Sequence, residues 1–260
     1  MRANPVKERL AAGGVSVGIM MDEFNTSGIM RICDAAGADF VIFDLEHTGW
    51  GPDSVRAVMA TARHASAWPM VRVQRAHYHL IAGALDAGAF GVMSPMIETA
   101  EEARLLVDST KYPPQGRRGF GVVYSDDLSA GPAAWMEASN RETLVIAQIE
   151  SVKGLENADA IAATEGVDIV WLGQYDLTSS MGIPGEFEHP RFVAALEQML
   201  TVCGRHDKPV GFMATSTEQG RAVLARGFRV VAFGDIGVFE HALGAAISEA
   251  REQARALAGQ

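Results

Sequence analysis

Eight short apolar runs recur along the chain, and amphipathic segments long enough for helices separate them. The predicted strands are residues 15–21, 40–45, 70–73, 90–94, 144–149, 169–172, 210–213 and 230–233. Most of these runs are continuous rather than alternating, which is typical of parallel strands covered on both faces. The predicted helices are residues 26–36, 54–65, 80–87, 100–108, 155–164, 192–205, 218–225 and 239–257.

A weak internal repeat supports this alternation. Gly37, Gly88, Gly166 and Gly227 each end a helical pattern, and an apolar run follows within three residues. Glycine at such a position can take the left-handed conformation that ends a helix. Eight strands alternating with eight helices over residues 1–260 predict a single-domain (β/α)₈ TIM barrel rather than an open doubly wound sheet.

Two regions leave alternatives open. The longest irregular stretch, residues 112–132, is either a lid or subunit contact, or a solvated connection. The last predicted helix has an apolar side that needs a partner, so it either closes the barrel or packs on a neighbouring subunit.

Composition and charge exclude several classes of protein. The chain is 48% apolar and 21% charged with a net charge of -10, so it is globular, and a nucleic-acid partner is not expected. The N-terminal segment lacks the apolar run of a signal peptide, and no stretch is long and apolar enough for a membrane helix. We expect no membrane partner and a cytoplasmic location. Cys33 and Cys203 are far apart, which indicates free core thiols.

Polar side chains collect where the predicted strands end. These residues are Asp44, Glu46, His47, Arg72, Gln148, Glu150, Gln174 and Asp176, with Gly173 just before the last two. Strand ends meet at one rim of a (β/α)₈ barrel, so we expect one site there. Glu150 and Asp176 are the natural ligand pair for a divalent cation, and oxygen ligands favour Mg²⁺ or Mn²⁺ over zinc. The alternative for each acid alone is a charge at a helix N-terminus.

His47 and Arg72 are candidates for two different catalytic roles. A neutral imidazole can accept a proton near pH 7, and a guanidinium can stabilise the oxyanion that develops when a proton leaves carbon. Asp86, near the end of the next helical segment, is a candidate to orient the imidazole; the alternative is a solvated helix carboxylate. The chain has no nucleotide-binding glycine motif, and none of its four lysines lies in a predicted strand, so neither a nucleotide cofactor nor a Schiff-base lysine is expected.

Six segments in sequence order carry a resemblance to a known family. They are FDLEH at 43–47, VRV at 71–73, PMIETA at 95–100, YPPQGRRG at 112–119, QIE at 148–150 and GQYDL at 173–177. Together they resemble the metal-dependent class II pyruvate aldolases of the HpcH/HpaI family. The resemblance implies a (β/α)₈ barrel, assembled as a homohexamer or trimer with the C-terminal helix exchanged between subunits. It also implies reversible cleavage of a 4-hydroxy-2-oxo acid to pyruvate and an aldehyde.

The resemblance also implies roles for individual residues. Glu150 and Asp176 correspond to the ligands of Mg²⁺, Mn²⁺ or Co²⁺. Arg72 corresponds to the transition-state stabiliser, His47 to the base, and Asp86 to the carboxylate that raises its basicity. The substrate-contacting positions correspond to Gln148 and, through its backbone, Tyr175.

Two departures from the family pattern concern specificity for the aldehyde. Gln174 stands where a proline is common before the position of Tyr175, and Met20 and Met21 replace a tryptophan that often follows the first strand. The nearest alternative function is decarboxylation of oxaloacetate, or another carbon–carbon bond reaction through the same enolate. A lyase acting on acyl-CoA predicts a longer chain and a basic surface. A non-catalytic barrel that binds a 2-oxo acid predicts ligand binding without turnover.

Overall fold

Eight parallel strands close into one barrel, in which each strand pairs with its neighbours in chain order and β8 pairs with β1. The computed structural model describes residues 1–62, 64–121 and 128–258. The strands are β1 Ser16–Met21, β2 Phe40–Asp44, β3 Trp68–Arg72, β4 Gly91–Ser94, β5 Leu144–Ile149, β6 Ile169–Leu172, β7 Val210–Ala214 and β8 Val230–Gly234. The predicted (β/α)₈ barrel is confirmed.

The helices lie outside this barrel, apart from short ones at its ends. They are α1 Pro5–Ala11, α2 Ile29–Ala35, α3 Pro52–Ala62, α4 Tyr78–Asp86, α5 Ala100–Thr110, α6 Pro132–Glu142, α7 Val152–Glu156, α8 Ala158–Ala162, α9 Gln174–Ser180, α10 Pro190–Arg205, α11 Thr217–Arg226 and α12 Asp235–Ala258. None of the helices in the described ranges is long and apolar enough to cross a membrane.

The sequence missed α1, α6 and α9, and it joined α7 and α8 into one helix. The Asn4–Pro5 pair is a start signal for α1, because the Asn4 side chain accepts the backbone N–H groups of Val6 and Lys7. Val6 and Leu10 of this helix pack into the barrel interior and close its N-terminal end. The predicted helix over 155–164 is broken at Asn157, which ends α7 and precedes α8.

Large side chains fill the barrel interior. Trp171 on β6 is one of them. Gly211 on the adjacent strand β7 leaves room for it, because an added Cβ at Gly211 would collide with the indole ring. Likewise, an added Cβ at Gly18 on β1 would collide with Phe40 on β2. Since α1 closes one end and these rings fill the middle, the carboxyl ends of the strands form the open mouth.

The irregular stretch 112–132 and the last helix differ in how they pack on the barrel. Residues 112–121 pack on the outer helices: the Gly119 N–H donates to the Tyr78 hydroxyl at 2.9 Å, and Arg118 contacts Asp86. Residues 122–127 of the predicted irregular stretch lie outside the described residues. In α12, Asp235 is buried and residues 236–258 are exposed. The apolar side of α12 therefore stays open to solvent in the single chain.

Candidate active site

The mouth of the barrel contains a cavity of about 300 Å³. Its lining residues are Met20, His47, Arg72, Gln148, Glu150, Trp171, Gly173, Gln174, Tyr175, Asp176 and Met213. The structure thus brings together six of the seven site residues named from the sequence. Asp86 is the exception.

Asp44 and Arg72 form the fixed part of the site. They are directly opposite in the pairing of β2 and β3, and Arg72 Nε and Nη2 donate to Asp44 Oδ1 and Oδ2 at 2.7 and 2.8 Å. Asp44 also accepts the backbone N–H groups of Glu46 at 2.9 Å and His47 at 3.0 Å. Burial opposes the charge of Asp44, but these hydrogen bonds outweigh it and hold the pKa of Asp44 below its usual range. Arg72 is therefore held in one orientation, with Nη1 not engaged by Asp44.

Glu46 and His47 follow on the loop after β2. Glu46 Oε2 lies 3.4 Å from Arg72 Nε and 3.5 Å from His47 Nε2. That oxygen is buried and has no hydrogen-bond partner among the described residues. Burial raises the pKa of Glu46 to about 7, although Arg72 opposes the shift. The His47 side chain is 60% exposed, so the imidazole faces the open mouth.

Glu150 follows β5 and is held on both carboxylate oxygens. The Met96 N–H donates to Oε1 at 2.7 Å, and Gln148 Nε2 donates to Oε2. Gly173 lies so close to Oε2 that a Cβ there would collide with it. Burial raises the pKa of Glu150 to about 7. The sequence contains no signal for the contact with Met96, which depends on a left-handed backbone at that residue (φ 53°).

Asp176 and Tyr175 lie in the first turn of α9. Gln174 anchors this helix, because its Nε2 donates to the Met213 carbonyl at the end of β7 at 2.7 Å. The residue that departs from the family pattern thus ties α9 to the barrel. The Tyr175 ring is 49% exposed and packs edge-on against Phe187. The Asp176 side chain is exposed at the rim.

The donors at the mouth fit a hard divalent cation. Across residues 1–62, 64–121 and 128–258, no group of three or more His, Cys, Asp or Glu side chains is arranged to hold a metal. Glu150 and Asp176 would supply two carboxylate ligands, with water and substrate completing the shell, as Mg²⁺ and Mn²⁺ accept. Gln148 Oε1 is buried and unpaired within the described part of the chain, which leaves a further oxygen facing the same region.

Asp86 lies elsewhere. Its Oδ1 accepts a hydrogen bond from Arg118 Nη2 at 2.7 Å, and it does not line the mouth cavity. The physical reason is topological: α4 starts at Tyr78 after β3 and runs back along the barrel, so its last residue lies at the opposite end. The expected contact between Asp86 and the His47 imidazole is therefore absent from the described part of this chain.

Sequence reasoning did not single out two further acids at the mouth. Asp235 is buried, and its carboxylate accepts the backbone N–H groups of Asp22, Glu23 and Phe24 at 3.1, 3.0 and 3.0 Å. Burial and the charges of Asp44 and Asp235 raise the pKa of Asp22 to about 6. Both acids directly follow a strand, so the rule that identified Asp44 and Glu150 would have found them.

Comparisons with known proteins identify the family of this chain. Residues 23–242 match the model of the HpcH/HpaI aldolase/citrate lyase family. The chain is 36% identical over 244 residues to 5-keto-4-deoxy-D-glucarate aldolase of Escherichia coli K12, covering 92% of this chain and 93% of the relative. An HpcH/HpaI aldolase from Desulfitobacterium hafniense has a similar structure, with a TM-score of 0.87, 30% identity, and coverage of 95% and 96% of the two chains. Citrate synthase SbnG is also similar, with a TM-score of 0.84, 27% identity, and coverage of 96% and 98%.

The fold and these relatives define an aldolase, a carbon–carbon lyase built on a (β/α)₈ barrel. The chain belongs to the HpcH/HpaI aldolase/citrate lyase family. The resemblance found in the sequence is confirmed.

Proposed function

We propose that this enzyme is a divalent-metal-dependent aldolase that reversibly cleaves a 4-hydroxy-2-oxo acid to pyruvate and an aldehyde. The observation that carries the proposal is the single cavity in which a paired arginine, an exposed imidazole and two carboxylates from β5 and α9 meet. The name of the E. coli relative supports it, since that protein is an aldolase for a keto-deoxy sugar acid.

Glu150 and Asp176 would hold the ion, which is Mg²⁺, Mn²⁺ or Co²⁺. Such an ion supplies Lewis-acid polarisation of the 2-oxo acid when it is bound. Arg72, oriented by Asp44, stabilises the negative charge that develops on the keto oxygen as the C3–C4 bond breaks. Gln148 and the Tyr175 backbone contact the substrate beside these groups.

His47 acts as the base. Its exposed imidazole removes the proton from the C4 hydroxyl group, the O–H electrons form the aldehyde carbonyl, and the C3–C4 electrons move to the pyruvate half. The proton held on His47 then returns to C3, which gives pyruvate and regenerates the neutral imidazole. In the synthetic direction the same steps run in reverse.

Exchange of the pyruvate methyl protons tests this function without a guess about the aldehyde. Proton NMR in D₂O should show loss of the methyl signal with purified protein and Mg²⁺, Mn²⁺ or Co²⁺, and Glu150→Ala should abolish the loss. Absence of exchange with every one of these metals would contradict the proposal.

A second candidate uses the same enolate differently. The similarity to citrate synthase SbnG, at 27% identity, supports carbon–carbon bond formation as the second candidate. Decarboxylation of oxaloacetate would form the same enolate. Parallel assays of CO₂ release from oxaloacetate and of aldehyde release from a 4-hydroxy-2-oxo acid separate the two. The dominant activity is the one with the larger kcat/KM.

We also propose a homo-oligomer, a hexamer or a trimer, in which α12 packs on a neighbouring subunit. Ile236, Phe239 and Leu243 of α12 are exposed apolar residues, and an apolar groove of about 590 Å³ lies between α12 and α2. Sedimentation velocity should show an oligomer that the double change Phe239→Glu and Leu243→Glu dissociates. A monomeric wild-type protein would contradict this assignment.

A cytoplasmic location is proposed on the state of the cysteines. Cys33 and Cys203 are both free and buried, as is usual in a reducing compartment. Fractionation of cells that produce the enzyme should recover it with cytoplasmic markers.

A further inference from the structure

The carboxylate of Glu46 lies between the two groups assigned to the chemistry. Glu46 Oε2 is 3.5 Å from His47 Nε2 and 3.4 Å from Arg72 Nε. The same oxygen is buried and has no hydrogen-bond partner within the described ranges. A buried acceptor without a donor is costly unless a partner engages it at some stage. Two donors, the imidazole and the guanidinium, lie 3.5 and 3.4 Å from it.

Asp44 is not available to His47 in the same way. Its two oxygens accept both Arg72 nitrogens and the backbone N–H groups of Glu46 and His47. The Thr48 hydroxyl also donates to the Asp44 carbonyl at 2.6 Å, so the loop after β2 is wound around Asp44. Asp44 therefore anchors the backbone of this loop, while the Glu46 side chain stays uncommitted beside the imidazole.

We propose that Glu46 is the positioning residue for His47: its carboxylate orients the imidazole through Nε2 and stabilises the imidazolium once the ring has taken a proton. This is the role that the sequence assigned to Asp86, and it rests on the proposed function of His47 as the base. A carboxylate at Nε2 places the ring proton on that nitrogen and leaves Nδ1 to accept the proton of the substrate hydroxyl. The 3.5 Å separation shortens when the ring becomes charged, since apo contacts of this kind tighten in the reacting complex.

The charges around Glu46 are consistent with this role. Arg72 attracts the carboxylate from β3, whereas Asp44 and Asp176 repel it from β2 and from the start of α9. A cation on His47 therefore relieves repulsion that the site otherwise contains. Arg72 is paired more closely with Asp44, at 2.7 Å, so the Glu46 carboxylate remains available to His47.

The test compares Glu46→Gln with the wild-type enzyme in the pyruvate proton-exchange assay. We expect kcat to fall at least tenfold while KM and the Mn²⁺ dissociation constant, followed by electron paramagnetic resonance, change less than threefold. Glu46→Asp keeps the charge and should recover part of the loss. Glu197→Gln is the matched control, because Glu197 pairs with Arg226 at 2.7 Å on an exposed surface away from the mouth, and it should leave every value within twofold.

A second readout does not depend on turnover. In ¹⁵N-histidine-labelled protein, the imidazole resonances of His47, assigned by their loss in His47→Gln, should shift in Glu46→Gln and stay in place in Glu197→Gln. A kcat within twofold of wild type, an unmoved His47 signal, or a loss explained entirely by weaker Mn²⁺ binding would overturn the role of Glu46. If the wild-type enzyme exchanges no pyruvate protons, the proposed function fails instead, and the His47 signal still decides whether the contact exists.

Discussion

The two ends of the barrel differ in how their charged groups are paired. At the N-terminal end, Lys7 and Asp168 pair at 2.9 Å, and Arg9 and Asp39 pair at 2.8 Å. The buried Lys111 donates to the carbonyl groups of Asn140 and Thr143 at 2.7 and 2.8 Å. Each of these charged groups therefore has a partner within the chain.

At the mouth, acids outnumber the cations that could neutralise them. Asp44 takes the Arg72 guanidinium, and burial leaves the pKa of Glu46 and of Glu150 raised to about 7 each. Neutralised charges stabilise a fold, whereas crowded carboxylates destabilise it unless a cation or substrate binds. The difference shows that the N-terminal end maintains the barrel and that the mouth is arranged for chemistry. Substitutions at the two ends should therefore separate activity from stability.

Arg72→Lys should give the largest effect. Lysine keeps the positive charge but loses the two-point bond to Asp44, so the group that stabilises the developing oxyanion is no longer held in place. We expect kcat for pyruvate proton exchange to fall by roughly 10²-fold with a smaller change in KM. A kcat within threefold of wild type would show that the fixed guanidinium is not needed.

Asn4→Ala should show the reverse behaviour at the N-terminal end. The buried Asn4 side chain caps α1 and donates to the Glu142 carbonyl at 2.6 Å, so its loss removes a cap and a buried hydrogen bond. The free energy of unfolding should fall by about 2 to 3 kcal/mol, measured by urea denaturation, with kcat unchanged. If the fully folded Asn4→Ala protein had a changed kcat, the N-terminal end would affect activity as well as stability, which would contradict this prediction.

Lys111 should make stability depend on pH. Burial and the nearby charge of Lys7 lower the pKa of Lys111 to about 7. Between that value and the ordinary lysine pKa, the unfolded chain binds the proton and the folded chain does not, so stability rises with pH. Lys111→Met should remove up to about 1 kcal/mol per pH unit of this slope between pH 7.5 and 10. Urea denaturation of both proteins across that range measures it, and parallel slopes would contradict the assignment.

A matched pair of changes should give the smallest effects, with opposite signs. The pKa of Asp22 is raised to about 6 by burial and by neighbouring acids, so its charge destabilises the fold above that pH. Asp22→Asn should therefore stabilise the metal-free protein at pH 8. Asp168 accepts the Val145 N–H at 2.8 Å and pairs with Lys7, so Asp168→Asn should destabilise it. After allowance for solvent screening, each change is about 1 kcal/mol. Shifts of the same sign would remove the contrast between the two ends.

Much of the site could be predicted from the chain, and the exceptions have identifiable causes. The sequence placed His47, Arg72 and Glu150 at the mouth because each ends or closely follows an apolar run, and all three line the cavity there. Helix α9 was missed because it is short and only Gly173 separates it from the four-residue strand β6. Asp86 lies away from His47 within the chain because α4 carries it to the other end of the barrel, which its spacing in the sequence does not reveal.

The barrel and most of the polar residues at its mouth follow from the amino-acid sequence, because hydrophobic periodicity is a local property and all parallel strands end on one rim. The tertiary structure alone decided which residues pair: Arg118 with Asp86, the Met96 N–H with Glu150, and Glu46 beside His47. It also decided which carboxyl groups have raised pKa values. These properties depend on burial and on distances through space, and residues 54 apart in the chain, such as Met96 and Glu150, come into contact only when the barrel closes.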